Sequence, residues 1–107
     1  MSSEWLDLGA AADFQPARHA VVTAGGARYV VVNLAGEFSV FPDACTHDYV
    51  SFEWGELIGE SLMCPRHGAR FCARTGRPQS PPAKRPLRAL EVRIADGRLL
   101  ARPTATG

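Results

Sequence analysis

The apolar positions of this chain fall in short runs broken by turn residues, and no window keeps a helical period between caps. Residues 5–8 form the first run. Residues 19–23 and 28–34 follow, both rich in β-branched side chains and separated by Ala24-Gly25-Gly26-Ala27, a natural hairpin connection. Ala35-Gly36 then turns the chain into residues 37–41, where Phe38 and Val40 share one face while Ser39 and Phe41 share the other. Residues 89–94 and 98–101 flank Asp96-Gly97, a favoured tight-turn pair. Between these runs, Leu62-Met63 leads as a strand into Cys64, and residues 69–72 return from it. Periodicity alone therefore predicts an all-β fold.

With 107 residues the chain has room for one domain with a small core, but not for an additional catalytic domain. Met1-Ser2-Ser3-Glu4-Trp5 has no basic cluster and no apolar run, so neither a signal peptide nor a membrane anchor is expected. The expected compartment is the cytoplasm. An odd count of 3 cysteines agrees with a reducing environment, since secreted frameworks pair theirs. Cys72, between Phe71 and Ala73, reads as a buried thiol in a short strand.

Charge changes the picture, because the overall +1 hides a split chain. Residues 1–60 hold Arg18 and Arg28 against nine acids, a net of 2 − 9 = −7, whereas residues 61–107 hold ten bases against Glu91 and Asp96, a net of 10 − 2 = +8. Complementary charge of this kind can orient a protein partner. Nucleic acid is not an expected partner: the arginines are not interleaved with stacking aromatics, and the acidic half would repel phosphate.

The chemistry is concentrated between residues 45 and 68. Cys45-Thr46-His47 is followed by sixteen residues and then by Cys64-Pro65-Arg66-His67-Gly68. Each half offers one thiolate and one imidazole. Four such ligands could hold a tetrahedral zinc, although zinc knuckles usually place two cysteines on one turn and two histidines on a helix. Mixed turns suit a two-metal centre in which one iron takes the two cysteines, the other takes the two histidines, and two sulfides bridge them. Pro65 fixes its own φ and Gly68 permits a positive one, so the second turn can be stiff.

In these residues the chain resembles the Rieske proteins, and more closely the small Rieske-type [2Fe-2S] ferredoxins of bacterial ring-hydroxylating dioxygenase systems. Gly55, the run Phe71-Cys72-Ala73-Arg74-Thr75-Gly76 and Ser80-Pro81-Pro82 extend the likeness along nearly the whole chain. The resemblance implies an antiparallel barrel-like base interrupted by a cluster-binding subdomain of two ligand loops, about residues 43–84, within a single Rieske domain spanning 1–107. It implies one [2Fe-2S] cluster per chain, with Cys45 and Cys64 on the inner iron and His47 and His67 on the outer iron. It further implies a monomeric one-electron carrier, not itself an enzyme, fed by a flavin-dependent reductase and serving a terminal oxygenase.

Departures from the respiratory branch of that family sharpen the expectation. That branch has a disulfide across the cluster; its positions here are Val50 and Arg66. It also has a serine and a tyrosine whose hydroxyls bond to sulfur, and their positions here are Ala69 and Phe71. Without both donors the potential is expected near the low end of the Rieske range, roughly −150 mV rather than about +300 mV.

Two other readings stay open at this point: a Rieske-like small subunit of a nitrite reductase or accessory of iron-sulfur assembly, and a zinc-stabilised interaction module. Arg66, Trp54 and Tyr49 are candidates for a docking rim, and His19 reads as a strand or surface histidine. The prolines at 78, 81, 82 and 86 suggest a rigid, poorly pairing cover for one side of the site.

Overall fold

The computed structural model describes residues 5–44, 51–65, 68–80 and 85–103. Ten strands run through them: β1 (Leu6–Ala10), β2 (Arg18–Ala24), β3 (Ala27–Leu34), β4 (Glu37–Pro42), β5 (Glu56–Ile58), β6 (Ser61–Met63), β7 (Arg70–Cys72), β8 (Pro78–Ser80), β9 (Glu91–Ala95) and β10 (Arg98–Arg102). The only helical elements among the described residues are two short 3₁₀ turns, Ala11–Asp13 and Phe52–Trp54. The all-β expectation holds, and each pairing is antiparallel.

The strands form three sheets, β1-β10-β9, β2-β3-β4 and β5-β6-β7-β8. β3 explains how they stack. Its run Val30-Val31-Val32 is buried throughout, with Val30 and Val32 turned into one core and Val31 into another. A continuous apolar run is what a strand covered on both faces requires. On one side, Val31 and Val40 pack with Leu8, Leu90, Leu99 and Ala101 of the terminal sheet. On the other, Val30, Val32 and Phe41 pack with Phe52, Leu62, Cys64 and Phe71 of the inserted subdomain. The base expected to be barrel-like is therefore two open sheets, and the middle one also backs the inserted subdomain.

Turn chemistry sets the registers. Gly25 and Gly26 have φ of 58° and 81°, and Asp96 and Gly97 have 52° and 75°, the positive pair that a two-residue hairpin demands. β1 runs on to Ala10, two residues beyond the sequence expectation. Gly9, at φ 124°, sits at a register shift that carries the pairing with β10 past it, and its N–H donates to Asp7 Oδ1 at 2.9 Å.

Two inserted strands, β5 and β8, escape the sequence pattern. β8 also corrects the expectation of a poorly pairing proline segment: Pro78 opens β8 opposite Phe71. A proline at the first residue of an edge strand costs the ladder no needed donor. Pro86 lies in the unpaired connection that follows, and Pro81 and Pro82 lie outside the described residues. That connection fastens the insert to both cores. Leu87 N–H donates to Gly76 O at 2.8 Å in the connection between β7 and β8, and Leu90 N–H donates to Val40 O at 2.9 Å in the middle sheet.

Candidate metal centre

The second ligand turn is built on the β6–β7 hairpin. Leu62 and Phe71 face each other across it, and one step further Met63 pairs with Arg70. The chain then leaves β6 at Cys64, whose N–H donates to Ala69 O at 2.7 Å and closes the base of the turn. Cys64 and Ala69 have no exposed surface. Gly68 takes φ 68°, the left-handed conformation expected of it. Arg66 and His67 lie outside the described residues.

Cys45, His47, Tyr49 and Val50 also lie outside them, but both ends of the first ligand loop are described. At the entry, Asp43 follows β4, its N–H donating to Arg28 O at 3.1 Å. At the exit, Ser51 caps the 3₁₀ turn by accepting from Glu53 N–H at 3.0 Å. The two ends meet. Ser51 Oγ donates to Asp43 Oδ2 at 2.5 Å, and Phe52 N–H donates to Asp43 Oδ1 at 2.7 Å.

The exit of the first loop packs onto the hairpin that carries the second. Phe52 is completely buried and meets Phe71 edge-on, with centroids 5.9 Å apart and 85° between planes. Gly55 approaches Met63 so closely that a Cβ there would lie 2.1 Å from the carbonyl oxygen. Thus the bases of both loops, with Cys64, Ala69 and Phe71, share one apolar core. A buried cysteine sulfur at a closed turn, beside alanine and phenylalanine rather than hydroxyl side chains, fits a sulfur-rich, water-excluded metal group.

Along the chain, the sequence model of the Rieske [2Fe-2S] domain matches residues 4–91. The chain belongs to the Rieske family. The group that this family carries is a [2Fe-2S] cluster, and the sequence offers two cysteines and two histidines, at 45, 64, 47 and 67, a composition that suits it. Among Rieske relatives, the chain is 37% identical over 98 residues to ferredoxin CarAc of Metapseudomonas resinovorans, covering 91% of this chain and 92% of that one. It is 30% identical over 97 residues to the anthranilate 1,2-dioxygenase ferredoxin subunit of Burkholderia cepacia, covering 91% and 90%. A solved complex of reduced oxygenase and oxidized ferredoxin in carbazole 1,9a-dioxygenase contains a similar chain, with a TM-score of 0.86, 34% identity and 94% coverage of each. This Rieske chain is accordingly a ferredoxin, an electron carrier rather than a catalyst.

Other candidates settle differently. Trp54 is 78% exposed, so it is no core filler. His19 lies on β2, half-buried, and its Nε2 is 2.9 Å from Phe52 O; a carbonyl only accepts, so the ring nitrogen donates. It pins the 3₁₀ turn to the middle sheet, a role the sequence did not suggest. Cys72 is half-buried at the end of β7 rather than fully enclosed. Burial raises its pKa, but hydrogen bonds from the Thr75 side chain and from the Arg74 and Thr75 backbone outweigh that and hold the thiol below its ordinary value.

Folding cancels part of the charge split. Arg74 pairs with Glu37 and Glu60, and Arg98 pairs with Asp7, so bases from the second half neutralise acids from the first. Glu53 is engaged by Arg28 at 3.0 Å. Asp48 and Arg66 lie outside the described residues.

Proposed function

We propose that this ferredoxin is a soluble, monomeric, cytoplasmic carrier that takes one electron at a time from a flavin-dependent reductase and delivers it to a terminal aromatic-ring-hydroxylating oxygenase. The observation that carries the reading is the burial of Cys64 at a turn closed by Ala69, on the same core as the exit of the first ligand loop. The likeness to dioxygenase ferredoxins along about nine-tenths of the chain supports the choice of partners. No helix among the described residues is long and apolar enough to cross a membrane. Residues 1–107 are read as one Rieske domain, with the cluster-binding subdomain at about 43–84.

In this proposal Cys45 and Cys64 hold the inner iron as thiolates, and His47 and His67 hold the outer iron through neutral imidazole. When bound, the cluster supplies a one-electron couple whose potential is raised by the neutral ligands relative to an all-cysteine centre. The chain's own contribution is to keep water and donors from the sulfurs. Ala69 and Phe71 offer no hydroxyl, which places the potential near the low end, roughly −150 mV. Pro65 and the positive φ of Gly68 restrict the second turn, so little reorganisation accompanies transfer.

The test is the electron paramagnetic resonance spectrum of the dithionite-reduced protein with iron, sulfide and zinc analysis. An anisotropic signal with about two irons per chain is expected. A colourless, silent protein holding zinc would overturn the reading.

A further inference from the structure

The carboxylate of Asp43 has no exposed surface and sits among polar partners drawn from two other parts of the chain. Oδ1 accepts from Phe52 N–H at 2.7 Å, and Oδ2 accepts from Ser51 Oγ at 2.5 Å. Arg28 of β3 approaches Oδ2 through Nε at 3.4 Å and reaches Glu53 through Nη2 at 3.0 Å. Arg28 Nη2 also lies 3.4 Å from Ser51 Oγ. A buried carboxylate is costly unless its oxygens are bonded, and here each one is. The arrangement spans residues 44–50, the segment that carries Cys45 and His47.

The geometry points to Asp43 as the positioning residue of the first ligand loop. It closes the loop like a clasp: one side chain, fixed to the end of β4, receives both the hydroxyl and the amide at which the loop ends. The exit is then immobile. Phe52 is held through its N–H by Asp43, through its carbonyl by His19 and Gly55, and through its ring by Phe71. The entry is held as well, by the Asp43 N–H to Arg28 O bond and by Ala44 N–H donating to Pro42 O at 2.9 Å. Fixed ends let one cysteine and one histidine be presented in a single geometry. Asp43 acts through the loop's two ends.

This inference rests on the proposed [2Fe-2S] function, and its test separates the two. Full-length loaded protein is compared as wild type, Asp43→Ala, Asp43→Asn, Ser51→Ala and Asp7→Asn, the last breaking an exposed ion pair in the terminal sheet. Three quantities are read: the rate at which a chelator bleaches the visible absorption, the visible circular dichroism of the cluster, and the hydrogen exchange of the Phe52 amide. Removing hydrogen bonds to a charged group is expected to speed bleaching about tenfold or more in Asp43→Ala, alter the dichroism, and expose the Phe52 amide. Asp43→Asn keeps one acceptor oxygen and should fall between, Ser51→Ala should move the same way by less, and Asp7→Asn should match wild type. Should Asp43→Ala fail to fold, Ser51→Ala and Asp43→Asn decide. Variants of the clasp with wild-type bleaching and unchanged dichroism overturn the inference alone. A wild-type chain that takes up no iron and sulfide overturns the proposed function and the inference with it.

Discussion

The Phe52 ring stands edge-on to that of Phe71, 5.9 Å away, so the end of one ligand loop is packed against the strand that leaves the other. A hydroxyl added to Phe71 would enter this core, where nothing exposed can solvate it. Ala69→Ser with Phe71→Tyr is therefore expected to raise the reduction potential by giving sulfur two donors. If the new hydroxyls found no partner they would instead cost about 1–3 kcal/mol of stability. Protein-film voltammetry decides; an unchanged or lowered potential contradicts the account of the missing donors.

Gly55 is required for space, since its φ is one that any residue can adopt. A Cβ 2.1 Å from Met63 O forces the 3₁₀ turn away from β6. Gly55→Ala should lower stability by at least about 1–3 kcal/mol in urea unfolding and loosen both ligand turns together.

Ala35 offers the opposite case. It occupies φ 55° beside Gly36 at 91°, in the turn between β3 and β4, where an L-residue is strained. The buried Asn33 holds the turn, accepting from Gly36 N–H at 2.8 Å through Oδ1. Ala35→Gly should raise stability by roughly 0.5–1 kcal/mol, the relief of left-handed strain less the entropy that glycine adds to the unfolded chain. A lower melting temperature would refute this.

Asp7 links the terminal sheet to pH. The hydrogen bond from Arg98, with that from the Gly9 amide, lowers its pKa from the ordinary 3.8. A depressed carboxyl stabilises the fold above its unfolded pKa and loses that contribution as pH falls through the folded one. The difference in melting temperature between wild type and Asp7→Asn should thus be present at pH 7, shrink below pH 3.8, and diminish in high salt because both groups are half exposed.

Trp54 should act in association rather than folding. Its exposed ring sits one residue from the Glu53–Arg28 pair and two from completely buried Phe52. Trp54→Ala is expected to leave the melting temperature within about 0.5 kcal/mol of wild type in stability terms. Binding to the proposed oxygenase partner, read by calorimetry, should weaken at least about fivefold, as for a loss of 1 kcal/mol or more. Equal affinity would remove Trp54 from the docking rim.

The sequence made legible what local chemistry controls. Gly25-Gly26 and Asp96-Gly97 announce their hairpins because positive φ leaves few residue choices, and Cys64 stands at a strand end because Leu62 and Met63 feed into it. The two Cys-His pairs stand out in the sequence by spacing alone, although of the four only Cys64 lies among the described residues. What escaped depends on distant partners. β5 and β8 have three residues each, too few for a period to register, and Pro78 argued against the second. The valine run of β3 indicated a strand but not the two different layers that cover it. Asp43 read as one acid among nine, because only folding brings Ser51 and Phe52 to its oxygens.

The pairing of β1 with β10, Leu6 opposite Ala101, also orders events during synthesis. β1 leaves the ribosome well ahead of β10, so this edge is covered only once β10 has been made. Leu87, which completes the core beside Cys64, is made only shortly before. Cys64 is therefore translated before the core around it is complete, and iron and sulfide delivered before Leu87 is made would meet an unfinished wall. Enclosure of Cys64 would in this sense follow the making of Leu87 rather than that of the ligand turns themselves.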